Sequence, residues 1–431
     1  MELKKYKKVI NSWAMYDWGK SAFETTIMAA VLPVYYSSVA AANLPANQAT
    51  VYWGYTTSIA LFIIAILSPV LGAIADYKGS KKRYLTYFAL VGITATAFMY
   101  FINTGDWLLA SGLFIVGNVG LAGGNVFYDS LLPHIAKDDD IDQISTKGYA
   151  LGYLGGGILL AINLGLIMFT PEELTGLMTR ISLASVALWW LVFSIPLWRN
   201  VPEPPRRIRP EEEKGANPVT AGFKRLVETF REITRYKELF KFLIAFWLYN
   251  DGIGTIIKMA TIYGAEIGIG QTSLIGTLLM VQFVGIPFSF LFGWLAKKIG
   301  TKVSIYISLA VYTLISIGGY FMSSPLHFWI LGFSVALVQG GSQALSRSLF
   351  GRMVPKVQSA EFFGFFSVSA KMAGIVGPLV FALVSQSMGN SRLAIVSLIF
   401  FFVTGGLLLT QVDEQEGIRV AKEADALAIV K

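Results

Sequence analysis

The 431-residue chain contains no cysteine and only 2 histidines. Without thiols there is no disulfide framework, no thiol nucleophile, no thiolate-bound zinc or iron and no lipidated cysteine. Two histidines do not build an imidazole metal site, so neither a metal nor any other cofactor is expected. Charge is also scarce. Charged residues form 14% of the chain against 54% hydrophobic ones, a balance that argues against a soluble globule and points to lipid as the solvent. No nucleophile elbow or nucleotide loop occurs, so an enzyme is not expected. Gly155 to Gly157 lacks the strand, turn and lysine that phosphate cradling needs.

What the chain does have is long apolar runs. A spanning helix needs roughly 20 apolar residues, because each backbone N–H and C=O in hydrocarbon must be satisfied within its own segment. Twelve runs qualify, at residues 13–38, 53–75, 84–102, 108–132, 148–169, 178–198, 240–264, 273–295, 303–321, 327–349, 361–386 and 393–411. They are too long for barrel strands and lack period-2 alternation, so an all-α membrane protein is expected.

The net charge of +8 follows from topology. With the N-terminus inside, thirty of the 35 Lys and Arg fall in inner segments, and outer loops hold only Arg180 and Arg392. This positive-inside pattern predicts a multi-pass protein with both termini cytoplasmic, in the inner membrane if the cell is bacterial. Nucleic acid is not an expected partner. The first run resembles a secretory signal with Ala40 to Ala42 as cleavage site, but Asp17, Lys20 and Glu24 exclude an h-region.

The expected organisation is a six-helix bundle over 1–198, a cytoplasmic linker over 199–239, a second bundle over 240–411 and a tail over 412–431. In the linker, Phe223, Leu226, Val227, Phe230 and Ile233 recur at helical spacing with Lys224, Arg225, Arg231 and Arg235 mostly opposite. This predicts an amphipathic helix on the inner lipid surface, or alternatively a connector packed on the loops.

The halves repeat. Gly72, Asp76 and Gly79, followed by basic residues to Arg83, recur as Gly293, Lys297, Gly300 and Lys302 at an offset of about 221. Asn125 and Asp129 correspond to Gln343 and Arg347, and Trp13, Asp17, Ser21 and Glu24 to Trp247, Asp251, Thr255 and Lys258. Two parallel six-helix halves about an axis along the membrane normal are implied.

On these residues the chain resembles the major facilitator superfamily, whose signature between helices 2 and 3 matches Gly72 to Arg83. More narrowly, it resembles the vacuolar effluxer-like branch through Trp13 to Phe23, Gly148 to Gly157, Tyr249 to Gly252 and Gln343 to Leu349. The resemblance implies twelve transmembrane helices in two pseudo-symmetric bundles, alternating access, and amino acids as a substrate class. Two departures stand out: Lys297 replaces the loop acid, and span 4 lacks the arginine of many proton-coupled relatives.

A charge at the bilayer centre costs about 2.5–3.5 kcal/mol on insertion scales, so the embedded Asp17, Lys20, Glu24, Asp251, Lys258 and Lys371 mark candidate sites. Asp17, Lys20 and Glu24 share one face, so the lysine can pair with both acids, and Glu24 is the preferred proton-sensitive group. Asn118, Asn125 and Asp129 on span 4 face Gln339, Gln343 and Arg347 on span 10. Tyr16 and Asn250 complete the substrate-binding or coupling set, while Asp76, Asp129 and Arg347 are assigned to gating. Asp76 is placed to meet the positive N-terminal end of a neighbouring helix, span 11 being the candidate. The alternative for these charges and stripes is packing by ion pairs and interhelical hydrogen bonds.

The six embedded charges sum to zero, which suits a zwitterion or neutral polar solute. The expected function is a monomeric, proton-coupled secondary transporter exporting amino acids or related solutes, with membrane lipids as its surroundings. An exporter of amphipathic drug-like or lipid cargo, and a non-transporting receptor or scaffold, are the alternatives.

Overall fold

A computed structural model describes residues 2–208, 220, 224, 227–229, 231, 234–373, 376–388 and 391–430. The chain is an all-helical membrane protein with twelve helical spans. Among the described residues, ten of them are long and apolar enough to cross a bilayer; the other two, spans 1 and 7, hold five of the six embedded charges. Span 1 changes pitch as it rises, from α-helix (Glu2–Ala22) through a π-helical stretch (Phe23–Ala30), α-helix (Val31–Tyr35) and a second π-helical stretch (Tyr36–Ala40). Pro33 lacks the N–H that would pair with the Ala29 carbonyl, and a π-widened turn absorbs such a defect. Glu24 lies in that widened stretch.

Spans 2 to 6 are Ala46–Lys78, Lys81–Phe98, Trp107–Ile135, Ile141–Met168 and Glu172–Asn200, and spans 7 to 10 are Lys237–Glu266, Gln271–Ile299, Thr301–Tyr320 and Pro325–Met353. Span 11 is described over Ser359–Met372 and Val376–Met388, with Gly374 and Ile375 outside the described residues. Pro378 falls in the first turn of the second helix, where a missing N–H costs nothing. Span 12 is divided into Ser391–Ser397 and Ile399–Thr410.

Each half has its own core. Trp13, Phe23, Phe114, Phe127 and Trp190 are buried in the first, and Phe242, Tyr249, Phe350, Phe366 and Phe402 in the second. With no hydrophobic drive between helices in lipid, close approach depends on small residues. Span 5 meets span 1 through its glycines: a Cβ on Gly148 would come 2.6 Å from Asp17 Oδ2, and one on Gly155 2.3 Å from the Trp18 carbonyl oxygen.

Both ends of the chain gather on one face. The Tyr6 hydroxyl donates to Asp140 (3.3 Å), and Lys422 lies 3.6 Å from Asp138, so the first helix and the last both reach the loop between spans 4 and 5. The segment after Asp413 forms a helix, Glu414–Leu427, whose Asp425 accepts the backbone N–H groups of Lys356 and Val357 at 3.0 Å. Arg207–Ile208 of the linker pairs antiparallel with Ile429–Val430. Ahead of that strand, Glu203 accepts the N–H groups of Lys82 (2.8 Å) and Arg83 (3.2 Å) at the start of span 3, and burial raises its carboxyl above the ordinary range. Of the amphipathic pattern, Phe223, Arg225, Leu226, Phe230 and Ile233 lie outside the described residues, while Lys224, Val227 and Arg231 are exposed.

On this face the two halves also touch at repeat-related glycines. A Cβ on Gly72 of span 2 would lie 2.2 Å from the Ala360 carbonyl oxygen of span 11, and one on Gly293 of span 8 would lie 2.3 Å from the Thr146 hydroxyl of span 5. Gly79 and Gly300 both turn with positive φ (63° and 92°), as expected of glycine at a helix C-terminus. Gly72→Ala is therefore expected to lower stability by about 1–3 kcal/mol, because backbone cannot rotate away. Gly293→Ala costs less, since the Thr146 side chain can turn. Gly54→Ala, with nothing within 4 Å, leaves the Tm unchanged or higher. Thermal unfolding of the three purified variants checks the order.

Candidate functional site

Span 1 threads three zones that differ in polarity, and its own side chains show where each begins. Nearest the termini is a sealed ionic layer. Arg347 of span 10 is 2% exposed and donates to Asp129 Oδ1 (2.9 Å), to the Ser145 hydroxyl (2.9 Å) and to the Ser145 carbonyl (2.8 Å), while Asp17 Oδ2 lies 3.6 Å away. Its guanidinium also lies over the rings of Trp13, Tyr128 and Tyr149 at 5.1, 5.7 and 4.5 Å. Asp17 in turn holds Lys20 (2.8 Å) and accepts the Tyr128 hydroxyl (2.8 Å). Thus one cation of the second half is bound by spans 1, 4 and 5 of the first. Charge, hydrogen bonds and aromatic faces all meet its desolvation cost together.

Two flanking clusters complete the seal. Asp76 pairs with Lys81 (2.6 Å), and its other oxygen accepts the Glu361 N–H (2.8 Å) at the start of span 11, where a carboxylate complements the positive helix end. In the repeat-related place Lys297 cannot play that part. The acid comes instead from Asp142 on span 5, which accepts from Ser348 and from Thr301 (2.8 Å) and pairs with Arg352. Arg352 extends the cluster to Glu414 on the terminal helix (3.1 Å).

Above the ionic layer lies a polar floor. Lys20 reaches Glu24 at 3.6 Å, and the Glu24 side chain is 45% exposed. Lys371 lies within electrostatic range of Glu24, Lys20 and Lys258. Asp251 is fully buried beside Gly377 of span 11, and neither of its carboxylate oxygens has a hydrogen-bond partner among the described residues. Lys258, seven residues further along the same helix, interacts with it electrostatically.

Beyond the floor a cavity of about 820 Å³ separates the halves and extends to the end opposite the termini. Thr25, Gln282 and Gln339 bring polar groups to it, whereas Leu160, Ile256 and Val281 supply apolar wall. The Gln282 Oε1 is buried without a hydrogen-bond partner.

The remaining candidates sort by depth. Tyr16 (0% exposed) packs at a tilt against Tyr128 in the core, and Asn118 and Asn250 are buried. Asn125 and Gln343 are partly buried, one turn further from the termini than Asp129 and Arg347. Sequence alone did not single out Asp142, Arg352, Ser145, Tyr128 or Lys81. The signal for Asp142 was present: with Lys297 in place of the second loop acid, an acid near the start of span 5 was the substitute to look for.

A family model, "Vacuole effluxer Atg22 like", matches residues 5–422. The chain belongs to this family. "Uncharacterized MFS-type transporter YxiO" of Bacillus subtilis is 39% identical over 99% of this chain and 100% of its own length. "Autophagy-related protein 22" of Yarrowia lipolytica is 25% identical over 88% of this chain and 77% of its own. Among solved structures, the proton:xylose symporter XylE superposes with a TM-score of 0.72 at 13% identity, over 99% of this chain and 98% of its own. That likeness establishes the fold, and the major facilitator architecture is the fold of this Atg22-like chain. The chain is a transporter and not an enzyme.

The ionic layer predicts a strong coupling. Arg347→Gln or Asp129→Asn leaves a buried charge without its partner and is expected to cost about 3–5 kcal/mol. The double variant is expected to lose less than the sum of the two. A double-mutant cycle on thermal unfolding measures the difference.

Proposed function

We propose that this transporter carries a small polar solute, an amino acid or a related compound, out across the membrane by alternating access coupled to protons. Both termini are cytoplasmic and the protein works as a monomer. The observation that carries the reading is the cavity, open at one end and sealed at the other by the Arg347 layer. A path closed on one side only is half of an alternating cycle, and the seal consists of interactions between halves, so it can be exchanged without unfolding either. The positive-inside distribution supports assigning the sealed end to the cytoplasm. The family description "effluxer" supports the export direction.

Glu24 is the proposed proton carrier. Its side chain is 45% exposed, it is next in sequence to Thr25 of the cavity wall, and it shares Lys20 with Asp17, so its charge bears on the layer that must open. A second reading, amphipathic cargo, is favoured by the apolar share of the cavity wall.

Counterflow in proteoliposomes tests the proposal. A panel of amino acids is expected to give exchange in the wild type, and Glu24→Gln is expected to keep exchange while abolishing acceleration by a pH gradient. Absence of flux with every amino acid would refute it. In that case thermal stabilisation by lipophilic cations would favour the second reading.

A further inference from the structure

Each half ends in a segment hooked to the start of its own third span. Lys82 donates to the Val201 carbonyl (2.6 Å) after span 6, and Lys302, in the repeat-related place, donates to the Val412 carbonyl (2.7 Å) after span 12. The segment after span 6 is clamped to the first half by Glu203 and by Arg206. Arg206 donates to the Tyr77 carbonyl (2.8 Å), and its guanidinium lies over the Tyr77 ring at 5.0 Å. The segment after span 12 becomes the helix Glu414–Leu427, and beyond it Ile429–Val430 pairs with Arg207–Ile208. The tail of one half is thus fastened to the tail of the other, on the face that carries both termini.

The two halves hold the terminal helix unequally. Against the second half it lays a buried face of Gly417, Val420, Ala421 and Ala424, with Val420 joining that half's core. A Cβ on Gly417 would lie 2.7 Å from Met353 Sδ, so the helix lies directly against span 10. Asp413, just before the helix, donates its N–H to Glu238 of span 7 (2.8 Å), and Asp425 near its end accepts from Lys356 and Val357. The hold on the first half is slighter. Lys422 lies 3.6 Å from Asp138 with both side chains open to solvent (70% and 78% exposed), Glu414 shares Arg352 with Asp142, and the strand is two residues long. Exposed pairs of this kind break and re-form at little cost. When the halves part on this face, the helix stays with the second and lets go of the first.

We infer that residues 414–430 are a latch between the halves, engaged only while the face carrying the termini is closed, which sets how often that face opens. This rests on the alternating-access reading and adds to the Arg347 layer a control at the chain's end.

Spin labels at Lys78→Cys and Lys297→Cys, at the ends of spans 2 and 8, report the opening of that face in lipid nanodiscs without native cysteine background. Deleting 428–431 removes the strand and leaves the helix whole, while Lys422→Glu sets an acid against Asp138. Each change is expected to raise the long-distance population roughly two- to fivefold, as loss of a weak contact does. Combining Lys422→Glu with Asp138→Lys is expected to restore the wild-type distribution. If the deletion does not fold, the single and double charge variants decide. A tail with a merely structural role lowers the melting temperature and leaves the distances unchanged. That outcome, or a charge swap that restores nothing, overturns the latch. Amino-acid counterflow separates the two levels: unchanged distances in a protein that exchanges solute remove the latch alone, whereas no flux with any solute in the wild type removes the reading beneath it.

Discussion

One ion pair lies where the pseudo-symmetry of the fold requires something unusual. Asp129 and Arg347 occupy equivalent positions of the two repeats, and they meet each other at 2.9 Å. Near a pseudo-twofold axis a side chain faces its own counterpart, so a fully symmetric ancestor would have placed like beside like. Two carboxylates or two guanidiniums there would repel in a low-dielectric layer. Divergence to an acid in one half and a base in the other converts the same geometry into attraction. The seal follows from this: Arg347 recruits Asp17, Ser145 and three aromatic rings, and the two halves close around it.

The flanking clusters show the same logic in a looser form. Span 2 meets span 11 at Gly72, and span 8 meets span 5 at Gly293, so the backbone geometry has been retained in both repeats. The acid has not. Asp76 serves the first contact from the loop, whereas Asp142 serves the second from the opposing helix, with Thr301, Ser348 and Arg352 around it. Such asymmetry lets the terminal helix join the second cluster through Glu414. The division of labour along span 1 is equally plain. Asp17 belongs to the seal, Glu24 to the floor and Thr25 to the cavity, within little more than two turns.

The spans were legible because lipid forces roughly 20 apolar residues into every crossing, and the repeat was legible because motifs recur at nearly constant offset. Asp76 at the end of span 11 could be anticipated from helix polarity, since a loop acid in that motif has few other uses. What could not be read was the partition of the embedded charges. Helical spacing puts Asp251 and Lys258 on one face, but Asp251 is buried against Gly377 of the helix Val376–Met388 whereas Lys258 is exposed. Tyr16 lies in a motif that carries the family resemblance, yet its ring is in the core, packed against Tyr128 with its hydroxyl at Gly124 of span 4. Asp142 was hidden for another reason: its partners lie about 160 to 210 residues away in sequence.

The central claim, that Arg347 holds the halves together at the sealed end, is tested most directly by measuring the distance between them. The chain has no cysteine, so spin labels can be placed at Asp139→Cys and Lys297→Cys on opposite halves without background. Pulsed dipolar spectroscopy should give a single short distance when Arg347 is present and a second, longer population in Arg347→Gln. Identical distance distributions in the two proteins would contradict the account.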